Sequence, residues 1–297
     1  MLSVYEKITE SIIAAITESP ADWKKCWRGQ PMPIRSTGQA YQGVNILNLW
    51  WESSKAGYES PRWLTFKQVI DLGGRIRKGE KATTVVYSKP VSKDKIDDDG
   101  NVTINHYHCL RAYQVFNAQQ ADGLAADVMA MPTPEDVNPD VRDARLDALI
   151  AGTGAAIEHR GGAAFYSELN DKITMPNFEA FFSKEDYYAV LLHELTHWTG
   201  HHSRLGRFDK KGGTAKLTVA DRAFEELIAE LGSAFLCSKW QVTEQPRADH
   251  ATYVSSWLAA LKKDKRFIVK AASAATKAAE YVNELKKNKT LLLTHQA

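Results

Sequence analysis

Four histidines fall within ten positions of the segment HELTHWTGHHSRL, residues 193–205. His193, Glu194 and His197 have the spacing H-E-x-x-H. In a helix this spacing places the two imidazoles one turn apart on one face, where both can reach one metal ion. Glu194 projects beside them, placed to take a proton from metal-bound water. The chemistry that these residue types predict is therefore metal-assisted hydrolysis.

A catalytic zinc site needs a third protein ligand. It could be another histidine of this segment, a residue elsewhere in the chain, or absent. The longer pattern H-E-x-x-H-x-x-G-x-x-H requires histidine at position 203, but Ser203 stands there and His202 falls one residue short. His201 and His202 follow Gly200, where we expect the helix to end. Neither should share the face of His193, so an exposed histidine pair is the expectation.

A second helix, predicted over 220–240, supplies the better candidate. Glu226 and Glu230 recur there at i, i+4 among apolar residues. This spacing suits one metal ligand, Glu226, and one acceptor, Glu230, that orients a ligand histidine. Glu225 is rotated off their shared face, and ordinary solvated glutamates are the alternative for the pair. The sequence predicts a gluzincin centre for zinc, or another divalent ion such as Mn²⁺, with water in the fourth position. The protein ligands are His193, His197 and Glu226.

The surrounding elements indicate how these residues are held. Ser183 followed by Asp186 is typical of a capping box, and the helix is expected to run to about Gly200. A helix near 140–152 and two strand-like runs, AAIEHR and AAFYSELNDKITMP, precede it. We expect the second run to be the edge strand beside the active helix, where an extended peptide could pair.

The front half has a different pattern. An amphipathic helix, an irregular aromatic stretch and a helix near 65–73 precede the β-rich runs TTVVYSKPV and VTINHYHCLRAYQVF. The charged segment 92–101 between these runs predicts the tip of a hairpin. Segment 119–140 contains three closely spaced prolines and is typical of a linker. The chain is therefore predicted to be α+β, with one domain over 1–125 and a second, ending in helices, over 140–297.

Aromatic and basic residues concentrate at the front. Five of eight tryptophans lie within the first 63 residues, and positions 60–90 hold seven Lys or Arg against two acidic residues. Single-stranded nucleic acid binds to such surfaces through cations along its phosphates and aromatic rings beneath its bases. Burial in the core is the alternative for each tryptophan. The predicted DNA contacts are Lys24, Arg28, Trp50, Arg62, Lys67, Arg75, Arg77, Lys78 and Lys81.

Composition limits the class of protein. Apolar content of 44% and charged content of 25% are typical of a soluble globular chain. No run approaches the ~18 apolar residues of a membrane span, and the N-terminus is not a signal peptide. Cys26, Cys109 and Cys237 are scattered, which favours a reducing cytoplasm and argues against a thiolate zinc site. We expect a cytoplasmic protein without a membrane partner.

The segments YYAVLLHELTHWTGHHSRLGR and AFEELIAELGSAFL resemble the metallopeptidase domain of ArdC-type antirestriction proteins of conjugative plasmids. In the front half, WKKCWRGQPMPIRSTGQAYQGVNILNLWW and GYESPRWLTFKQVIDLGGRIRKGEKATTVVY are similar to the family's single-stranded-DNA-binding domain. The resemblance implies a zincin-like fold similar to that of SprT-type proteases. It also implies protection of incoming plasmid DNA from host restriction. The implied partners are single-stranded DNA and the host restriction system or DNA-bound proteins. A related N-terminal region occurs in plasmid primases.

Three classes of function are compatible with these residues. The first binds single-stranded DNA without sequence preference and carries a zinc-dependent peptidase. The second only coats single strands and has a structural metal site without proteolysis. A nuclease or primase is the third and weakest, because no polymerase-type cluster of aspartates is present. Glu194 favours the first class, because a structural metal site has no use for that acid.

Overall fold

The computed structural model describes residues 4–18, 30–96, 102–129, 142–208, 218–242, 257 and 260–294. Its strands are β1 (Trp63–Leu64), β2 (Arg75–Ile76), β3 (Thr83–Ile96), β4 (Val102–Asn117), β5 (Ala121–Asp122), β6 (Ala156–His159), β7 (Phe165–Ser167) and β8 (Lys172–Met175). Its helices are α1 (Val4–Glu18), α2 (Val44–Ala56), α3 (Phe66–Asp71), α4 (Ala126–Met129), α5 (Ala144–Thr153), α6 (Lys184–Trp198), α7 (Val219–Trp240) and α8 (Phe267–Thr294). This mixture confirms the predicted α+β class.

The front half is built on the predicted hairpin. Strands β3 and β4 pair antiparallel from Thr83 opposite Val115 to Ile96 opposite Val102. The end of β4 also pairs with β1, which makes a sheet of order β1-β4-β3. Both strands are rich in β-branched and aromatic residues, which favour a pleated sheet. Part of the predicted tip, residues 97–101, lies outside the described residues.

The stretch predicted to be irregular contains a helix, α2, and this is a correction. Two asparagines, which are weak helix formers, hid it from sequence reasoning. In the structure, their side chains form hydrogen bonds with backbone groups of β3. Asn45 donates to the carbonyl of Val86 at 2.6 Å and accepts from its N–H at 2.8 Å. Asn48 donates to the carbonyl of Thr84 at 2.9 Å.

The back half contains a smaller sheet of order β6-β8-β7, in which β6 and β8 are parallel and β7 is antiparallel. The run predicted as one edge strand forms both β7 and β8, so that prediction is wrong for its second half. The chain reverses between them through Asp171, whose φ is 45°. Asp tolerates this left-handed conformation better than most residues. Of these two strands only β7 lies at an edge of the sheet, whereas β8 is central and its Ile173 and Met175 are buried.

Residues from both sides of the predicted domain boundary contribute to one core. The long helix α8 packs on α7, α6 and α5 and also contacts α2 and α1. Trp50 of α2 lies against Phe235 of α7, with ring centroids 5.8 Å apart. The backbone N–H of Gly43 donates to the hydroxyl of Thr276 at 3.0 Å. In the described part of the chain, no helix is long and apolar enough to cross a bilayer.

Candidate metal centre

The H-E-x-x-H residues lie on helix α6, which is largely buried inside the molecule. Ser183 begins the helix, and its hydroxyl accepts from the N–H of Asp186 at 3.1 Å. This is one half of the predicted capping box. Between the cap and Trp198 the helix is buried on most sides, because the sheet lies on one side and α7 on the other. Such packing fixes the helix and therefore the direction in which each imidazole points.

Three donor atoms converge between α6 and α7. The Nε2 atoms of His193 and His197 are 3.2 Å apart. One carboxylate oxygen of Glu226 lies 3.6 Å from the first and 3.7 Å from the second. Tetrahedral ligands at zinc–nitrogen and zinc–oxygen distances of about 2.0–2.2 Å are separated by about 3.3–3.5 Å. The triangle therefore fits one tetrahedral ion. Among the described residues, this is the one cluster of histidine, cysteine and carboxylate groups with such convergence.

A carboxylate stands behind each histidine. Nδ1 of His197 lies 3.3 Å from a carboxylate oxygen of Glu225. Nδ1 of His193 faces Glu230 at 3.9 Å, which is an ion-pair distance rather than a hydrogen bond. Sequence reasoning expected Glu230 in this position and missed Glu225. Glu225 is off the shared face, as expected, but this brings it to the far side of the His197 ring.

The loop after α6 explains how Glu225 is held. Both oxygens of Glu225 accept from the guanidinium of Arg207, at 2.6 and 3.0 Å. The loop folds back tightly at Gly200, where an added Cβ would lie 2.8 Å from the ring of Phe208. Gly200 is therefore required where the loop folds back on the helix end, and it does not mark the position of a third histidine ligand. No local sequence signal links Arg207 to Glu225, because the contact depends on the loop's fold.

The remaining histidines of the segment lie outside the cluster. His201 contacts Ser203 through Nδ1 at 2.8 Å, and its ring lies 4.0 Å from the ring of His202. His202 is exposed. Both follow the end of α6 at Trp198, so neither shares the face of the two convergent imidazoles. This agrees with the expectation of a histidine pair near the surface.

Charge at the cluster is strongly coupled. Burial lowers the pKa of His197, but hydrogen bonds and Coulombic attraction from Glu225 and Glu226 outweigh it and raise the pKa to about 10. Burial raises the pKa of Glu226, yet hydrogen bonds from both imidazoles hold that pKa well below its usual range. The carboxylates thus keep their negative charge and attract a cation or a proton. Binding of a metal ion would therefore release the proton from His197.

The separation of α6 and α7 is set by Gly232. A Cβ added at this position would lie 2.5 Å from the side chain of Thr196. The hydroxyl of Ser233, the next residue, donates to the carbonyl of Ala189 at 2.9 Å. The close approach of the two helices places Glu226 within reach of the imidazoles of α6.

Comparison with known proteins agrees with this architecture. Residues 144–274 match the model of a zincin-like metallopeptidase family, and residues 3–116 match the N-terminal domain of the anti-restriction factor ArdC. The metal-free crystal structure of antirestriction protein ArdC from plasmid R388 is 41% identical. It aligns over 97% of this chain and 99% of that chain, with a TM-score of 0.81. The Mn(II)-bound structure of that protein has the same identity and coverage, and a TM-score of 0.77.

The chain belongs to the ArdC antirestriction family. An uncharacterized protein, y4eC, of Sinorhizobium fredii is 35% identical over 94% of this chain and 91% of its own length. Two Escherichia coli proteins named DNA primase TraC are 34% identical over 94% of this chain, which spans only 20% and 27% of their lengths. These findings confirm the resemblance and the fold. The zincin-like domain and the Mn(II)-bound relative indicate a metal-binding domain.

Several residues predicted to contact DNA have structural roles in this ArdC-family chain. Trp50 is only 1% exposed, and its indole N–H donates to the carbonyl of Pro31 at 3.0 Å. A ring buried between α2 and α7 cannot stack on a base. The prediction that Trp50 contacts DNA is therefore wrong. The guanidinium of Arg62 donates to the carbonyls of Arg35, Ser36 and Val128. It holds three chain segments together, so Nε and Nη1 of this side chain are already engaged within the protein.

Other predicted cations differ in how far they are engaged. Arg77 donates to Glu80 and to the carbonyl of Gln119, and this pairing anchors the turn before β3. The side chain of Lys67 is 84% exposed and has a weak i, i+4 ion pair with Asp71. Three further predicted cations are exposed on the segment that leads into β3. They are Arg75, Lys78 and Lys81. Lys24 and Arg28 lie outside the described residues.

The structure also reveals an aromatic cluster that sequence reasoning did not select. Tyr87 of β3 is 47% exposed and meets the ring of Tyr113 of β4 edge-on, with centroids 5.8 Å apart. Arg111, also exposed, stands directly opposite Tyr87 in the β3–β4 register. Val85 lies on the same face of β3 but is buried, so the alternation along the strand does not mark this face as exposed. Sequence reasoning considered tryptophans as stacking residues and did not consider these tyrosines.

Proposed function

We propose that this protein binds single-stranded DNA without sequence preference and carries a zinc-dependent metallopeptidase centre. We propose further that it acts in the cytoplasm to protect incoming conjugative plasmid DNA from host restriction. One observation carries the catalytic part: Nε2 of His193, Nε2 of His197 and a carboxylate oxygen of Glu226 converge within 4.8 Å. The family and the Mn(II)-bound relative support a divalent ion there, either zinc or manganese.

The residues of the centre would have different roles in peptide hydrolysis. A zinc-like ion held by His193, His197 and Glu226 would polarise a peptide carbonyl and lower the pKa of a water. Glu194, 7% exposed and on the same helix, receives the proton of the attacking water and returns it to the leaving amine. These roles need Glu194 close to the ligands but not among them.

A peptide substrate would lie extended along β7, the edge strand of the back-half sheet that belongs to the run predicted to pair with a peptide. Pairing of main-chain groups at an edge gives affinity with little choice of sequence. Substrate selection would then depend on which proteins are held on the same DNA strand as the enzyme. Proteins bound to DNA, including those of a host restriction system, are the proposed partners.

The DNA surface would be formed by the exposed cations before β3 and by the hairpin face with Tyr87. Lys67, Arg75, Lys78 and Lys81 supply charge for phosphates, and the ring of Tyr87 supplies a face for a base. Such contacts recognise the backbone and any base, so we expect binding that weakens with salt and ignores sequence. Arg111 opposite Tyr87 adds a cation to the same face.

Replacement of Glu194 by Gln tests the catalytic part. In the full chain, metal content should equal that of the wild type, because Glu194 is not a ligand, while cleavage of DNA-bound proteins should disappear. Glu185→Gln, on the first turn of the same helix, is the control and should keep both. Loss of the metal in Glu194→Gln would show that its assigned role is wrong.

The same variant distinguishes the alternative of a pure coating protein with a structural metal. Restriction of incoming plasmid DNA should be compared in cells with wild type or Glu194→Gln. We expect protection to survive, because coating a strand needs no hydrolysis. Loss of protection with unchanged binding to single strands would make proteolysis the mechanism. In either case, wild-type protein should bind single strands of different sequence equally and more tightly than duplex.

A further inference from the structure

Arg207 occupies a position that neither the metal centre nor the DNA surface accounts for. Its side chain is almost fully buried, although the residue lies on a loop. The guanidinium donates to both carboxylate oxygens of Glu225, at 2.6 and 3.0 Å. It also donates to the hydroxyl of Thr199 and the carbonyl of Thr196, at 2.8 and 2.6 Å. Four hydrogen bonds from one side chain fix its plane and direction.

The route of the chain allows this arrangement. The backbone N–H of Arg207 donates to the carbonyl of Gly200 at 2.8 Å, which closes the loop onto the end of α6. A Cβ on Gly200 would lie 3.0 Å from a guanidinium nitrogen of Arg207 and closer still to Phe208. The absence of a side chain at this position is therefore what lets the guanidinium reach under the helix end.

Glu225 connects Arg207 to the imidazole of His197. One carboxylate oxygen lies 2.6 Å from Arg207 and 3.3 Å from Nδ1 of His197. A hydrogen bond at Nδ1 leaves the lone pair of Nε2 free and fixes the rotation of the ring. That Nε2 is the atom 3.2 Å from Nε2 of His193. Since Arg207 binds both oxygens of Glu225, the carboxylate cannot rotate away from the ring.

We propose that Arg207 is a positioning residue of the metal centre, acting through Glu225 to orient His197. The inference rests on the metal centre of the proposed function. Arg207 touches neither the ion's ligand atoms nor a substrate, so its influence should appear as metal affinity and coordination geometry. Outer-shell partners of metal-bound histidines typically change metal affinity by about 10–100-fold.

A purely structural role is the competing explanation, because Arg207 also bonds the last turn of α6. The chain offers a matched control in Arg204 on the same loop. Its guanidinium pairs with Asp171, donates to the carbonyl of Trp198 at 2.6 Å and covers the ring of that tryptophan. Arg204 is thus about as deeply buried and is also bonded to the helix end, but its contacts do not include Glu225.

The experiment uses the full chain freed of metal and then titrated with Zn²⁺ against a competing chelator. Unfolding temperature of the metal-free protein and the absorption spectrum of a Co²⁺ complex are measured in parallel. Arg207→Ala should lower Zn²⁺ affinity about 10–100-fold and alter the Co²⁺ spectrum. Arg204→Ala should lower the unfolding temperature while leaving affinity within about threefold. Glu225→Gln, which conserves size and removes charge, should reproduce the affinity loss with a folded protein.

A double variant decides whether Arg207 acts through Glu225. If it does, Arg207→Ala combined with Glu225→Gln should lose no more affinity than the weaker-binding single variant. Additive losses, or an equal loss in Arg204→Ala, would overturn the inference. If Arg207→Ala does not fold, an unchanged affinity in Glu225→Gln overturns it instead. A wild type that binds no divalent ion overturns the metal centre and this inference together, whereas unaffected variants of a metal-binding wild type overturn the inference alone.

Discussion

The metal centre and the basic segment before β3 are held in opposite ways. Around the centre, Glu225 is buried, the side chain of His197 is only 12% exposed, and each is contacted from two sides. In the segment 67–81, Lys67 has one exposed ion pair and Arg75, Lys78 and Lys81 are exposed, although Arg77 is paired with Glu80. Geometry determines what the first region can do, whereas net charge determines what the second can do. Substitutions in the centre should therefore act sharply, and those in the segment should act in small, graded steps.

Glu226→Ala should have the largest effect on either region. It removes the third ligand of an arrangement in which all three donor atoms are needed, so metal affinity should fall further than the ~10–100-fold typical of losing an outer-shell partner. His202→Ala is the control and should leave affinity nearly intact. Metal content after dialysis measures both. Retention of metal by Glu226→Ala together with its loss from His202→Ala would refute the gluzincin assignment.

Trp50→Ala tests whether the front half contains a buried residue that was mistaken for a surface contact. Removal of this ring from between α2 and α7 should cost about 3–5 kcal/mol of unfolding free energy. Affinity of the folded fraction for single-stranded DNA should not change. Denaturant unfolding and DNA binding by fluorescence anisotropy measure the two. Weaker DNA binding with unchanged stability would show that Trp50 is a surface contact for DNA after all.

Gly232→Ala examines how closely the centre depends on helix spacing. The new methyl group meets Thr196, so the variant should lose about 1–3 kcal/mol of stability by overpacking. Metal affinity should also decrease, because Glu226 moves with α7. Pairing the change with Thr196→Ser, which removes the methyl group, should restore part of both. No loss of affinity would mean that the centre tolerates a shift between its two helices.

Charge reversal of Arg75 and Lys78 should have the smallest effect per residue. Each cation that meets a phosphate contributes a slope of about −0.7 to the dependence of log affinity on log salt for single strands. The double reversal should therefore flatten the slope by about 1.4 without changing metal content. Reversal of Arg160, an exposed cation beside β6, is the control. An unchanged slope would move the DNA path away from the basic segment.

Sequence reasoning selected the three side chains that converge, because the geometry of this cluster is largely local. The i, i+4 spacing on one helix places His193 and His197 wherever that helix lies. Glu226 required only that a second amphipathic helix pack against the first. Glu225 and Arg207 could not be selected, because their contacts depend on the return of the loop through Gly200, which no periodicity reports.

The residues of the front half were harder to predict for a related reason. Burial of a tryptophan is a property of tertiary packing, so Trp50 was indistinguishable from an exposed ring. Helix α2 was hidden because Asn45 looks unfavourable in a helix until its bonds to Val86 are seen. The hairpin was predictable, since its β-branched runs flank a charged segment. Which of its faces is exposed followed only from the structure.

The core shared through α8 determines which part of the chain can be inherited as a unit. A gene segment that encoded only the front half would leave Trp50 without Phe235, and one that encoded only the back half would leave α8 without its contacts to α2. The TraC primases match 94% of this chain rather than one half of it. Recombination of the gene would therefore transfer both halves together. In evolution, the proposed DNA surface and the metal centre would behave as a single heritable module.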